Sequence, residues 1–134
     1  MKKFTETNAE FVELFKGLTA VQGLKGVKFG LLVAKNVRVI QNELQHLEDA
    51  SKPTEEFLEL SAKINEAMNN KDEEAVKALE TDNESLIQER KDQLSEVDAL
   101  MGEKSALELF PISEDCIPED ITAEQIMGID KIIE

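Results

Sequence analysis

The sequence predicts a mainly α protein: a long antiparallel helical hairpin over residues 27–101, and a small α+β packing module formed by residues 1–26 and 103–134, all within one domain, 1–134. Three observations predict it. Apolar residues recur at alternating steps of three and four along most of the chain, the period of a helix face. Helix-start signatures stand at the heads of these runs. The core material is aliphatic, with six Phe and no Trp or Tyr among 41% apolar residues, while 33% of residues are charged, as in solvated helices.

Thr7-Asn8-Ala9-Glu10 reads as a capping box, and Phe11, Leu14, Phe15 and Leu18 follow on one helical face. Gly23 and Gly26 break this first helix. A second is predicted from about Val27 to Ala50, with Val33, Val37, Ile40, Leu44 and Leu47 in a heptad-like seam suited to packing on another long helix. Pro53 ends it.

Thr54 can cap a third segment that places Phe57, Leu60, Ile64 and Met68 on one face. Asn69-Asn70-Lys71-Asp72 interrupts the pattern, and Asp72 can cap the next segment. A further long pattern runs from Val76 and Leu79 through Ile87, Leu94, Val97 and Met101, with Arg90 as a defect or salt-bridge position on its seam. Thr81-Asp82-Asn83-Glu84 inside it is either a helix restart or a coincidence. Gly102 stands where a helix stop is expected.

Beyond Gly102, Ala106–Ile112 reads as extended, with Pro111 marking an edge strand or its end. Ser113–Asp120 is an acidic loop. Thr122-Ala123-Glu124-Gln125 is another capping box, opening a short helix with Ile126, Met127, Ile129, Ile132 and Ile133 that is too apolar to stand in water.

The net charge of −14 is uneven: residues 1–41 hold seven basic and three acidic groups, and the remainder eight basic and twenty-six acidic. The two parts can neutralise each other within or between subunits, or the asymmetry can mark a partner surface. So acidic a chain disfavours direct nucleic-acid binding. The single cysteine, Cys116, forms no intrachain disulfide and suits a reducing compartment. No secretory signal is expected, and the longest apolar stretch, Phe29–Ala34, is too short to cross a membrane.

Catalytic chemistry is poorly supplied, and no catalytic residue is assigned. His46 is the only histidine and lies in the polar part of a helix. Cys116 stands among Glu114, Asp115, Glu119 and Asp120, wrong company for a thiolate nucleophile. Those carboxylates lack calcium-loop spacing, and one Cys with one His makes no zinc site, so neither metal nor cofactor is expected. In Gly23–Gly30, Lys25, Gly26 and Lys28 precede or open a helix and form a possible anion-binding turn; the plainer reading is a tight interhelical turn with solvated lysines. No Walker ending follows it.

Over most of its length the layout resembles a group of small bacteriophage proteins. The matching stretches are Ala34–Glu48, with Ile40, Glu43, Leu44, Leu47 and Glu48 in place, Leu107–Ile112, and Ile121–Gln125 through Ile132-Ile133-Glu134. The resemblance implies a viral protein of the host cytoplasm or the virion, and it brings no site residue with it.

The two seams (Val33, Val37, Ile40, Leu44, Leu47; Ile87, Leu94, Val97, Met101) form the candidate oligomer or partner interface. The expected function is that of a non-enzymatic accessory or assembly protein, binding itself as a homo-oligomer and another phage or host protein. The alternative is an inhibitor of a host defence system. It would act either as an acidic decoy for a host protein or by sequestering a small anionic nucleotide at Lys25 and Lys28.

Overall fold

The computed structural model describes all 134 residues. In chain order the elements are β1 (Lys2–Thr7), α1 (Asn8–Ala20), α2 (Val27–Ser51), α3 (Glu55–Asn69), α4 (Glu73–Asp82), α5 (Glu84–Gly102), β2 (Lys104–Leu109) and α6 (Ala123–Ile129). Short 3-10 turns cover Glu114–Cys116 and Asp130–Ile132. The protein is mainly α with a small α+β part, as its periodicity predicts. The chain divides into two compact units, Met1–His46 with Leu100–Glu134, and Leu47–Ala99.

The first unit holds the sheet. β1 and β2 pair antiparallel, from Lys2 opposite Leu109 to Thr7 opposite Lys104. The strand expected at Ala106–Ile112 is present but shifted to Lys104–Leu109, and its partner strand is the N-terminus, where only Phe4 is apolar. Direct cross-strand neighbours share a face, so Phe4 lies with Leu107, and Leu107 and Leu109 are buried. Thr7 closes β1 and caps α1: its hydroxyl accepts from the Glu10 amide at 3.1 Å, and the Glu10 carboxylate accepts from the Thr7 amide.

Phe11, Leu14, Leu18 and Val21, buried from the first helix and its end, meet Phe29, Val33 and Ile40 of α2, Leu107, Leu109 and Ile112 around β2, and Ile129 and Ile132 at the C-terminus. The burial of these α2 residues moves the boundary of the module. Its first twenty residues belong with the sheet, so the module extends well beyond residue 26. α1 and α6 cross in backbone contact at Gly17 and Gly128. The C-terminal tail is tied by Ile112, whose amide donates to the Ile132 carbonyl and whose carbonyl accepts from the Glu134 amide, each at 2.8 Å.

Two asparagines complete this unit. Asn36, fully buried on α2, donates through Nδ2 to the Phe110 carbonyl at 2.9 Å and accepts from the Phe110 amide at 2.7 Å. Its carboxamide thus acts as a strand partner for the backbone just past β2. Asn8 donates to the Leu100 carbonyl and accepts from the Ser105 hydroxyl, both at 2.7 Å. Burial of these amides is tolerated because their hydrogen bonds replace water.

The second unit holds the end of α2, then α3, α4 and most of α5. Thr54 caps α3 by accepting from the Phe57 amide, and Asp72 caps α4 by accepting from the Ala75 amide. Between them Lys71 takes a left-handed φ of 56°, and the Asp72 amide reaches back to the Ala67 carbonyl at 2.9 Å, a Schellman-type stop. The chain does restart a helix near Thr81–Glu84, with Asn83 between α4 and α5. Arg90 is neither defect nor ion pair. Its guanidinium donates to the Ser51 carbonyl at 2.8 Å and lies over the Phe57 ring. Gln93 donates to the carbonyls of Ala50 and Lys52. Together they satisfy the free carbonyls at the end of α2.

Candidate interaction surfaces

The seam residues divide by location. Val33 and Ile40 are buried in the first unit, with Val37 and Leu44 half-buried against the same core. Leu47 is buried in the second unit. This corrects their assignment to an interface: within a folded chain Val33, Ile40 and Leu47 have no surface to offer a partner. Their regular spacing serves intramolecular packing, which produces the same period. Ile87 and Val97 remain half-buried and Leu94 is 43% exposed, so the α5 residues of the second unit are accessible. Met101 is half-buried in the first unit.

The second unit has a thin core. Of its fifty-three residues only Leu47, Leu60 and Ala67 are buried apolar residues, against twelve in the first unit. Phe57, Ile64, Val76, Leu79, Leu86 and Ile87 are half-buried, and Leu58 and Met68 are more than half exposed. Small apolar cores leave little margin for independent stability, and covering partly exposed apolar area is favourable by ~25 cal/mol per Å².

Part of that apolar area lines a groove of about 860 Å³, together with the polar Ser61, Thr81, Ser85 and Gln88. Phe57, Leu60 and Ile64 of α3 line one side, and Ile87 and Lys91 of α5 the other, with Glu80 and Glu84 near the junction of α4 and α5. Helical spacing places Leu94 on the face of Ile87 and Lys91, one turn further along. Sequence periodicity assigns Ile87 and Leu94 to an interface but misses the α3 wall. Phe57, Leu60 and Ile64 form a periodic face in the sequence, but whether it is covered depends on how α3 is placed against α5.

Lys25, Gly26 and Lys28 form the turn into α2. Gly26 adopts a φ of 123°, a region that favours glycine, and its carbonyl accepts the amide of Gly30 at 2.9 Å. Lys25 and Lys28 are exposed. The turn therefore has a backbone reason for its glycine independent of any anion. His46 is exposed on α2. Cys116 lies half-buried in a 3-10 turn against the first unit's core.

One charged cluster is well defined. Lys131 pairs with Glu10 and lies 3.6 Å from Glu6, joining the C-terminal turn to β1 and the start of α1. The Lys131 ammonium, with Glu6 and Thr7 as further hydrogen-bond partners, holds the Glu10 carboxyl down at about 2, and Glu10 raises the Lys131 pKa in return. The cluster borders a groove of about 390 Å³ lined by Ala9, Leu14, Met127 and Gly128. No helix is long and apolar enough to cross a membrane. Comparison with known proteins finds no matching family model, curated protein or solved structure.

Proposed function

We propose that the protein is a non-enzymatic accessory or assembly protein of the phage type, acting by protein–protein contact and associating with copies of itself through its second unit. The observation that carries this reading is that Phe57, Ile64, Ile87 and Leu94 stay partly exposed, the first three on the wall of an open groove, in a unit with only three buried apolar residues. A helical unit so thinly cored gains stability when a second surface covers Phe57, Ile64, Ile87 and Leu94. The first unit already has a core of twelve buried side chains and needs no such cover.

Leu94→Asp tests the reading. Leu94 is 43% exposed, so the folded chain accommodates a carboxylate there, whereas a buried interface does not. Light scattering on a sizing column should show a multimer for the wild type and a 15.0 kDa monomer of unchanged helicity for the variant. A variant that keeps the wild-type mass overturns the assignment of the interface.

A second reading draws on charge. The second unit carries sixteen acidic and six basic groups, a net −10, so it also suits a basic groove on another protein, as a decoy would. Co-elution of a basic host protein with a monomeric chain would favour it.

A further inference from the structure

The groove's occupant can be argued from the chain itself. Between Glu13 and Glu43 there is no acidic residue, while Lys16, Lys25, Lys28, Lys35 and Arg38 all fall in this stretch. On α2 the residues Lys28, Leu31, Lys35 and Arg38 are spaced i, i+3, i+7, i+10 and make one stripe. It lies opposite the buried Phe29, Val33, Asn36 and Ile40. All four are exposed; Leu31 is 55% exposed and the neighbouring Val27 92%. An exposed apolar centre flanked by cations, with Lys35 lying over the Phe110 ring, on a helix whose other face is fixed in the core, suits a docking surface.

We infer that this basic stripe of one copy docks in the groove walled by Glu80 and Glu84 of a second copy, so that assembly runs head to tail. The inference rests on the self-association proposed above and names its two faces. Two features match. The stripe is basic, and the groove belongs to a unit of net −10 and carries Glu80 and Glu84 against the one lysine, Lys91, on its wall. Both surfaces have apolar centres, Leu31 on one side and Phe57, Ile64 and Ile87 on the other. Contact between two different patches is heterologous, and it builds a ring where the rotation closes and a filament where it does not.

Charge reversal tests this. The variant Lys28→Glu/Lys35→Glu/Arg38→Glu has two acidic faces, and Glu80→Lys/Glu84→Lys has a groove whose wall is basic. All five positions are exposed; Lys35 also lies 5.1 Å over the Phe110 ring, so the triple variant is checked against Lys28→Glu/Arg38→Glu, which leaves that contact in place. Under conditions where the wild type is a multimer, each variant alone should scatter as a monomer with wild-type helicity. An equimolar mixture should regain mass, because each reversed face then meets its complement. Raising salt from 0.05 to 0.5 M should weaken wild-type association at least tenfold. If either variant keeps the wild-type mass, the head-to-tail pairing is wrong; self-association survives if Leu94→Asp still dissociates the protein. A mixture of two folded monomeric variants that stays monomeric also overturns the pairing. Loss of co-purifying nucleic acid on reversing the stripe, with the groove variant still multimeric, would assign the stripe to nucleic acid and overturn it as well.

Discussion

Replacing Gly17 by alanine should destabilise the protein, although alanine is the better helix former. A Cβ at Gly17 would stand 2.1 Å from the carbonyl oxygen of Gly128 and 2.6 Å from its carbonyl carbon. Ordinary contact begins at 3.4 Å, so α1 and α6 must part by 1.3 Å at their crossing. The obstacle is backbone, which cannot rotate aside. Overpacking of this kind costs ~1–3 kcal/mol, and a backbone obstacle places it near the top of that range. Parting the helices also loosens Ile129 and Ile132, each fully buried; losing a third of their burial adds ~1 kcal/mol. Against this, alanine returns ~1 kcal/mol of helix propensity. The net is a loss of ~3 kcal/mol, or a fall in Tm of ~10 °C for a chain of this size.

Gly30→Ala is the control. Gly30 lies within α2, with nothing inside 4 Å of the added methyl, so the propensity term should act alone and stabilise by ~0.5–1 kcal/mol. Without Trp or Tyr the assay is urea or thermal unfolding followed by far-ultraviolet circular dichroism, at one fixed protein concentration because association shifts the midpoint. A Gly17→Ala protein as stable as the wild type would refute the close crossing of α1 and α6.

Two further predictions concern the first unit. Asn36→Leu leaves the amide and carbonyl of Phe110 without their partner inside the protein, and should cost ~2–4 kcal/mol in the same unfolding assay, far more than an exposed change such as Asn42→Leu. The Glu10–Lys131 pair gives a signed pH dependence. Because the folded Glu10 pKa is depressed to about 2, its contribution is complete above the unfolded carboxylate pKa and is lost as pH falls towards 2. Because the Lys131 pKa is raised, its share is complete below the unfolded lysine pKa and is lost as pH rises through the folded value. Lys131→Gln should therefore flatten the decline in stability between about pH 4.5 and pH 2, and since both groups are partly exposed, 1 M salt should shrink the difference between variant and wild type.

Much of the fold is legible in local chemistry. The capping box at Thr7, the stop at Pro53, the caps at Thr54 and Asp72 and the capping box at Thr122 all form, because each depends on a few neighbouring residues. β1 was not legible: Lys-Lys-Phe-Thr-Glu-Thr has one apolar residue, and it becomes a strand only because Leu107 and Leu109 offer a partner about a hundred residues away. The role of Asn36 was hidden for the same reason, since a buried amide within a helix declares itself only through the distant backbone it pairs with. The candidate interface was half legible. Periodicity shows that Val33, Ile40, Ile87 and Leu94 each belong to an apolar face, but not which faces are covered inside the chain. The sheet and α6 cover the face of α2, and the face of α5 over Ile87 and Leu94 stays accessible.

The measurement that tests the central claim most directly is sedimentation equilibrium of the wild-type chain across a hundredfold range of concentration, with a full ultraviolet spectrum of the sedimenting species. Association through the second unit predicts masses at multiples of 15.0 kDa that rise with concentration, carrying only the weak absorbance of six Phe. A single 15.0 kDa species at every concentration would contradict it.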